Sequence, residues 1–116
     1  EQKILEILDV ISVNKIDGII ATNTSVNFPK LNSKNRNEKG GLSGAPIYDR
    51  SNEVISFISK STNGKLPIIG VGGIDSGLSA YNKFLSGADL IQLYTGFVYE
   101  GPAVVKRINK AILASS

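Results

Sequence analysis

One tripeptide in the sequence offers several hydrogen-bonding groups in consecutive positions. Thr22, Asn23 and Thr24 carry two hydroxyls and a carboxamide. The carboxamide supplies both a donor and an acceptor, which suits a planar heterocycle with imide edges. Asn and Thr are also common turn formers, and on the tripeptide alone a turn is the better interpretation.

Two glycine-containing segments, one after the other, predict a phosphate site. Gly72 and Gly73 follow one apolar run, and Thr95 and Gly96 follow the next. Glycine lets backbone N–H groups approach a phosphate, and the N-terminus of a following helix adds partial positive charge. A single glycine pair would indicate only a tight turn. The second segment favours the phosphate, because barrels commonly bind phosphate after their seventh and eighth strands.

Other groups that could do chemistry are weaker candidates. Residues 40–44, Gly-Gly-Leu-Ser-Gly, could form a mobile linker or a backbone nest for an anion. Ser43 has no visible base partner, which disfavours a nucleophile, and Asp75 is better explained as a helix cap than as a catalytic group. The chain has no Cys and no His, so thiol chemistry is excluded and the commonest general base and metal ligand are missing. No metal site is predicted.

Helical and extended patterns alternate along the chain and would position these groups. Helices are predicted over residues 2–14 and 49–62, between a cap at Asp75 or Ser76 and Gly87, and from Gly101-Pro102 onward. Short apolar strands are predicted over residues 19–22, 67–73 and 90–94, and a long polar loop over residues 25–48.

The apolar spacing also predicts which helix faces are buried. The residues expected to face inward are Leu78, Tyr81, Phe84 and Leu85 in the third helix, and Val105, Ile108 and Ile112 in the last.

Strict alternation of helices with apolar strands predicts a parallel α/β sheet. The carboxyl ends of parallel strands face the ligand in such folds, so the segments that follow the three strands should share one rim. Three strands alone would leave two open edges, whereas a closed barrel has eight strands and about 250 residues. Glu1 begins directly in a helical pattern and the chain has no Met, which favours a piece of a longer protein.

The length and charge of the chain narrow the classes of protein to which it could belong. The 116 residues suffice for one domain, and the net charge of +3 is mild. No apolar run approaches the roughly 18 residues of a membrane-spanning helix, and the acidic N-terminus is unlike a signal peptide. The densest basic stretch, Lys30, Lys34, Arg36 and Lys39, is interrupted by Glu38 and lacks aromatic partners. We therefore interpret it as a solvated loop and predict no nucleic-acid partner.

Four of these segments, in register, resemble the dihydroorotate dehydrogenases. They are residues 17–24 (Asp-Gly-Ile-Ile-Ala-Thr-Asn-Thr), 40–44, 67–73 (Pro-Ile-Ile-Gly-Val-Gly-Gly) and 92–96 (Gln-Leu-Tyr-Thr-Gly). The similarity runs from the first residues to the last helix and corresponds to roughly the final third of that enzyme. The form of the second and fourth segments is similar to the quinone-reducing, membrane-associated class.

The resemblance implies a (β/α)8 barrel (TIM barrel), with residues 1–116 as the C-terminal part of its single FMN-binding domain, roughly strands 6 to 8. It also implies FMN-dependent oxidation of dihydroorotate to orotate in pyrimidine synthesis, with a quinone as electron acceptor. Asn23 and Thr24 would contact the pyrimidine. The positions that resemble FMN contacts are Thr22, Gly44, Gly73, Tyr94 and Thr95, the last three around the phosphate.

The family's catalytic Ser base, its flavin-contacting Lys, several Asn ligands and its membrane-associated N-terminal extension are expected upstream of this sequence. No catalytic residue is therefore assigned here, and the isolated chain is expected to be inactive. Attachment to the cytoplasmic or inner membrane would be peripheral and would use that upstream part. Two alternatives stay open: another phosphate-binding flavin barrel, or an inactive part-barrel scaffold whose open strand edges pair with a second copy.

Overall fold

A computed structural model describes residues 1–27 and 31–115, so Pro29 and Lys30 of the predicted loop and basic stretch lie outside the described residues. The described residues form the predicted alternation of helices and parallel strands. The elements are α1 (Gln2–Val13), β1 (Ile19–Ala21), a 3-10 helix (Ala45–Ile47), α2 (Tyr48–Ser61), β2 (Ile68–Val71), α3 (Gly77–Leu85), β3 (Leu90–Gln92), α4 (Thr95–Glu100) and α5 (Ala103–Ser115). The short helix α4 was not predicted.

The three strands form one parallel sheet in the order β1-β2-β3. Ala21 pairs with Gly70, and Val71 pairs with Gln92, so the carboxyl ends of the strands lie almost level. The Thr22 N–H extends the ladder by donating to the Val71 carbonyl over 3.0 Å. The prediction that the three strand ends share one rim is confirmed.

Helix α2 supplies the main covering layer of the sheet. Ile55 and Ile58 stand three residues apart on its inner face and pack against Ile68 of β2, and all three side chains are buried. Burying each such side chain contributes about 1.5–3 kcal/mol. Past the end of the helix, Asn63 and Gly64 adopt positive φ angles of 52° and 67°, which supports the predicted stop at this pair.

The predicted inner face of α3 is wrong. Leu78 is 71% exposed, and Tyr81 and Leu85 are also exposed, whereas Ser79, Ala80 and Lys83 are buried. Phe84 is half-buried. A Cβ added at Gly77 would collide with the Ala111 side chain of α5, so the two helices approach too closely for large residues between them. Small side chains therefore face α5, and the larger apolar ones are turned away from it.

The buried face of α5 differs slightly from the predicted one. Ile108 is buried and Ile112 is half-buried, as predicted, but Val105 is exposed and Val104 is buried in its place. Val104 and Ile108 pack with Ile74 in a second core cluster. A stripe of positions four residues apart explains this burial better than the predicted spacing did.

The loop between β1 and α2 is closed at its base by a pair of backbone hydrogen bonds. Ser25 N donates to Leu42 O over 2.9 Å, and Leu42 N donates to Ser25 O over 2.8 Å. A Cβ at Gly41 would overlap the Thr24 side chain, so the returning strand of the loop lies directly against the end of β1. This closure brings residues 40–44 to the rim of the sheet.

Both outer strands of the sheet expose apolar side chains. Ile20 of β1 is 61% exposed and Leu90 of β3 is 62% exposed. Each of these strands pairs with a neighbour on one side only within the described residues. In residues 1–27 and 31–115, no helix has the length and apolar character needed to cross a membrane.

Candidate functional site

A cleft of about 580 Å³ lies at the carboxyl ends of the strands. This volume falls within the range of roughly 300–1,000 Å³ that is typical of small-molecule sites. All the residues predicted to bind cofactor or substrate line it: Thr22, Asn23, Thr24, Gly44, Gly73, Tyr94 and Thr95.

The first wall of the cleft is the end of β1. The Ala21–Thr22 peptide bond is cis. The Asn23 Oδ1 accepts a hydrogen bond from its neighbour's backbone, Thr24 N, over 2.8 Å. The carboxamide NH₂ of Asn23 has no partner among the described residues, and the side chain is exposed. Asn23 can therefore act as a hydrogen-bond donor toward a bound molecule.

The second wall is the turn at Gly72 and Gly73, where φ is 120° and 70°. A Cβ at Gly73 would lie 2.5 Å from the Tyr48 Cβ and 2.7 Å from the Tyr48 Cα at the start of α2. Glycine is needed here both for the backbone conformation and for this close approach. The Gly73 N–H donates to no other described residue, which leaves it available to a ligand in the cleft.

The third wall joins the loop at residues 40–44 to the end of β3. The Ser43 Oγ and Thr95 Oγ1 are 2.8 Å apart and share a hydrogen bond. Gly44 has φ 78° and ψ −154°, and a Cβ there would come within 2.9 Å of the Thr95 Cγ2. Ser43, which the sequence offered only as an improbable nucleophile, thus holds the loop against the strand end.

The predicted contribution of a helix N-terminus behind Gly73 is not supported. Helix α3 begins only at Gly77, and its first turn is closed by a capping box between Ser76 and Ser79. Asp75 accepts a hydrogen bond from the Ser79 hydroxyl over 3.1 Å, in agreement with a structural role. The start of α4 is placed differently, because Thr95 and Gly96 line the cleft and this helix has no side-chain cap at its N-terminus. The rim therefore offers the Gly73 N–H, the first N–H groups of α4 and hydroxyls to an anion.

Lys83 lies behind the glycine turn and was missed by sequence reasoning. Its Nζ donates to Gly72 O over 2.8 Å and to Ser51 Oγ over 3.0 Å, and it lies 5.1 Å from the centroid of the Tyr48 ring. The side chain is 0% exposed, and burial lowers the pKa of its ammonium to about 8. A Lys in a helix is ordinarily at the surface, so no signal in the sequence marked this one.

The groups that line the cleft are suited to binding a ligand. Apart from Tyr94, no titratable side chain lines it among the described residues. In the same described ranges, no group of three His, Cys, Asp or Glu residues is placed to hold a metal ion. Hydroxyls, a carboxamide and backbone N–H groups can orient a ligand, but they do not supply a general base.

Comparison with known proteins identifies the family. A family model described as dihydroorotate dehydrogenase matches residues 1–115. The chain belongs to the dihydroorotate dehydrogenase family. Proteins named dihydroorotate dehydrogenase (quinone) from Christiangramia forsetii and Trichodesmium erythraeum are each 50% identical to it over 97% of the chain. The resemblance to this family and to its quinone class is therefore confirmed.

Solved structures of the family share the fold of the chain. The crystal structure of ligand-free DHODH from Eimeria tenella superposes with a TM-score of 0.87 at 40% identity, over 91% of this chain and 30% of that one. The predicted fold class, a part of a (β/α)8 barrel, is confirmed. The chain spans about a third of the length of the curated relatives it matches, 33% and 32% in the two cases above.

Proposed function

We propose that this chain forms one wall of a flavin site in an enzyme that oxidises dihydroorotate to orotate in pyrimidine synthesis. The cofactor is FMN and the electron acceptor is a quinone. The observation that carries this proposal is the meeting of seven family-type positions, drawn from three strand ends and a loop, in one cleft. Membership of the dihydroorotate dehydrogenase family supports it.

The donor groups at the glycine turn fit the phosphate of FMN. The Gly73 N–H is free of other described partners, and the hydroxyl of Thr95 lies across the same cleft. Neutral donors at a glycine turn suit a phosphate because the backbone can approach it closely. Gly73, Tyr94 and Thr95 would hold the phosphate, and Thr22 and Gly44 would border the rest of the cofactor. When bound, FMN supplies the redox chemistry, as acceptor of a hydride from dihydroorotate and donor of electrons to the quinone.

Asn23 and Thr24 would contact and orient the pyrimidine ring. The Asn23 oxygen accepts from Thr24 N, while both N–H donors of the carboxamide have no partner among the described residues, which suits the carbonyl oxygens of dihydroorotate and orotate. Gly41 lies directly against the Thr24 side chain and limits its movement. These residues would orient the substrate against the flavin rather than take its proton.

The rest of the same barrel is the proposed partner of the open sheet edges. The exposed Ile20 and Leu90 side chains lie on the two outer strands, where further strands of a barrel would pair and pack. Residues 1–116 would then form the C-terminal part of a single FMN-binding domain. The remaining part would supply the general base that this cleft lacks and the peripheral contact with the cytoplasmic or inner membrane. The chain by itself would be inactive.

The test is the flavin content and activity of the complete protein. Purified protein should be yellow, release FMN on denaturation, and reduce a quinone only when dihydroorotate is added. Colourless protein that gains no activity with added FMN would refute the proposal. Release of FMN without dihydroorotate-dependent turnover would instead favour another flavin-dependent barrel oxidoreductase.

Substitution of Asn23 tests the assignment of the substrate wall. In the complete protein, Asn23→Ala removes one hydrogen bond to the pyrimidine and should weaken orotate binding by about 5- to 10-fold, with little change in FMN affinity. Asn109→Ala, at an exposed position on α5, is the matched control. Equal losses of orotate and FMN affinity in Asn23→Ala would contradict the role of this residue.

A further inference from the structure

Lys83 carries a fully buried ammonium group that has no role in the proposed function. It does not line the cleft, and its Nζ lies on the helix side of the sheet, in contact with Gly72 O and Ser51 Oγ. Ser51 Oγ in turn donates to Val71 O over 2.5 Å. A buried ammonium is unfavourable unless it is hydrogen-bonded, so these contacts hold it in one position.

The contact with Gly72 O determines how the next peptide group is oriented. The peptide between Gly72 and Gly73 is planar, and in a trans peptide the C=O and N–H groups point in opposite directions. Because the Gly72 carbonyl is held toward Lys83, the Gly73 N–H is turned away from it. That N–H has no partner among the described residues, and Gly73 lines the cleft.

The contact with Lys83 restrains the orientation of the peptide within the glycine turn. Gly72 and Gly73 both have positive φ angles, and glycine alone restricts the backbone weakly. A neutral side chain in place of Lys83 would leave the Gly72 carbonyl buried without its charged donor. Either orientation of the peptide would then be accessible, and the N–H would lose its preference for the cleft.

We propose that Lys83 is a positioning residue of the phosphate site, which orients the Gly73 N–H toward the flavin phosphate and places a positive charge one peptide unit behind it. This inference rests on the proposed function. The charge acts through the protein interior, where it is screened less than at the surface. Lys83 touches neither the cofactor nor the substrate, and it acts through the Gly72–Gly73 peptide.

A merely structural role would also make Lys83 important, since it links α3 to β2 and α2. The two roles differ in what they do to flavins with and without a phosphate. Loss of a phosphate-positioning residue weakens FMN binding and spares riboflavin, which has no phosphate. Loss of a structural residue weakens both equally.

The experiment uses the complete protein, freed of flavin, titrated with FMN and with riboflavin by quenching of flavin fluorescence. Lys83→Met keeps the length of the side chain and removes the charge, and it should raise the Kd for FMN about 10- to 100-fold while leaving the Kd for riboflavin unchanged. Lys60→Met, at an exposed position on α2, is the matched control and should change neither. An equal rise of both dissociation constants in Lys83→Met would overturn the proposal.

A pH series on the unmodified protein tests the same idea without a substitution, in case Lys83→Met does not fold. The second ionisation of a phosphate is nearly complete by about pH 7, so a decline in FMN affinity relative to riboflavin above about pH 8 reports the loss of the Lys83 proton. Tyr48 is the titratable side chain that the described residues place against Lys83. Tyr48→Phe keeps the ring and removes the hydroxyl, so it is the control for titration of Tyr48.

A ratio of the two affinities that stays constant from about pH 7 to 9.5 would overturn the proposal. Failure of the unmodified protein to bind either flavin would instead refute the proposed function. The two failures are thus distinguishable.

Discussion

Substitution of Gly73 by Ala tests the packing argument at the glycine turn. Gly73 and Gly64 have nearly the same positive φ angle, 70° and 67°. An added Cβ would meet nothing within 4 Å at Gly64, but it would lie 2.5 Å from the Tyr48 Cβ and 2.7 Å from its Cα at Gly73. The pair therefore separates backbone strain, which both substitutions share, from collision with backbone that cannot move aside.

The expected magnitudes follow from this difference. A positive φ costs an Ala about 1 kcal/mol relative to Gly, which is the whole effect expected for Gly64→Ala. The collision adds roughly 1–3 kcal/mol or more at Gly73. The complete protein is expected to be about three times as long as this chain, as its curated relatives are, and for such larger proteins the shift is at most about 2–4 °C per kcal/mol. Gly64→Ala should then lower the Tm by about 2–4 °C and Gly73→Ala by about 5–15 °C.

Thermal unfolding of the flavin-free complete protein measures both values, since a bound cofactor would add its own stabilisation. FMN affinity should fall in Gly73→Ala and remain unchanged in Gly64→Ala. Equal shifts in Tm for the two variants would show that the close approach of Gly73 to Tyr48 does not exist in solution.

Two further predictions concern the loop and the buried ammonium. Ser43→Ala removes the hydrogen bond to Thr95 and should weaken FMN binding by about 3- to 10-fold with a Tm change under about 2 °C, and an unchanged affinity would show that the loop needs no such tie. The pKa of Lys83 falls from 10.5 to about 8 on burial, so the unfolded state holds this proton more tightly, and stability should rise between about pH 8 and 10.5. Denaturation of the flavin-free protein across this range should show a gain of up to about 3 kcal/mol relative to Lys83→Met, and parallel curves for the two proteins would refute it.

The sequence predicts the strands and the shared rim well, because both depend on local patterns. Apolar β-branched runs such as Ile68-Ile69 indicate strands, and the alternation with helices makes the sheet parallel. The positions of Thr22 and Gly73 at strand ends then follow from the topology of any parallel sheet. The cleft could thus be anticipated before the resemblance to a family was considered.

The faces of the later helices could not be predicted in the same way. The inner face of α3 is set by its contact with α5 near Gly77 and by the partners of Lys83, and these are tertiary contacts between residues far apart in sequence. Leu78 and Leu85 have the apolar character of core residues and are nevertheless exposed. Apolar spacing identifies a helix more reliably than it identifies which side of that helix is buried.

The hydrogen bond between Ser43 and Thr95 also could not be predicted from the sequence. It joins residues 52 positions apart, and it depends on the loop returning to the rim. Nothing in a run of glycines and a serine distinguishes such a return from a mobile linker. The pair of backbone hydrogen bonds between Ser25 and Leu42 makes that distinction.

That backbone pair also separates the loop into two parts with different freedom to vary. The closure fixes the separation of Ser25 and Leu42, and Gly41 beside it lies against Thr24, so the number of residues between Ser25 and Gly41 can change while the two ends of the loop keep their places. Doubling the length of a flexible loop costs only about 0.6 kcal/mol in closure entropy. Insertions and deletions are therefore tolerable before Gly41, whereas a single added residue between Gly41 and Gly44 would displace the rim itself.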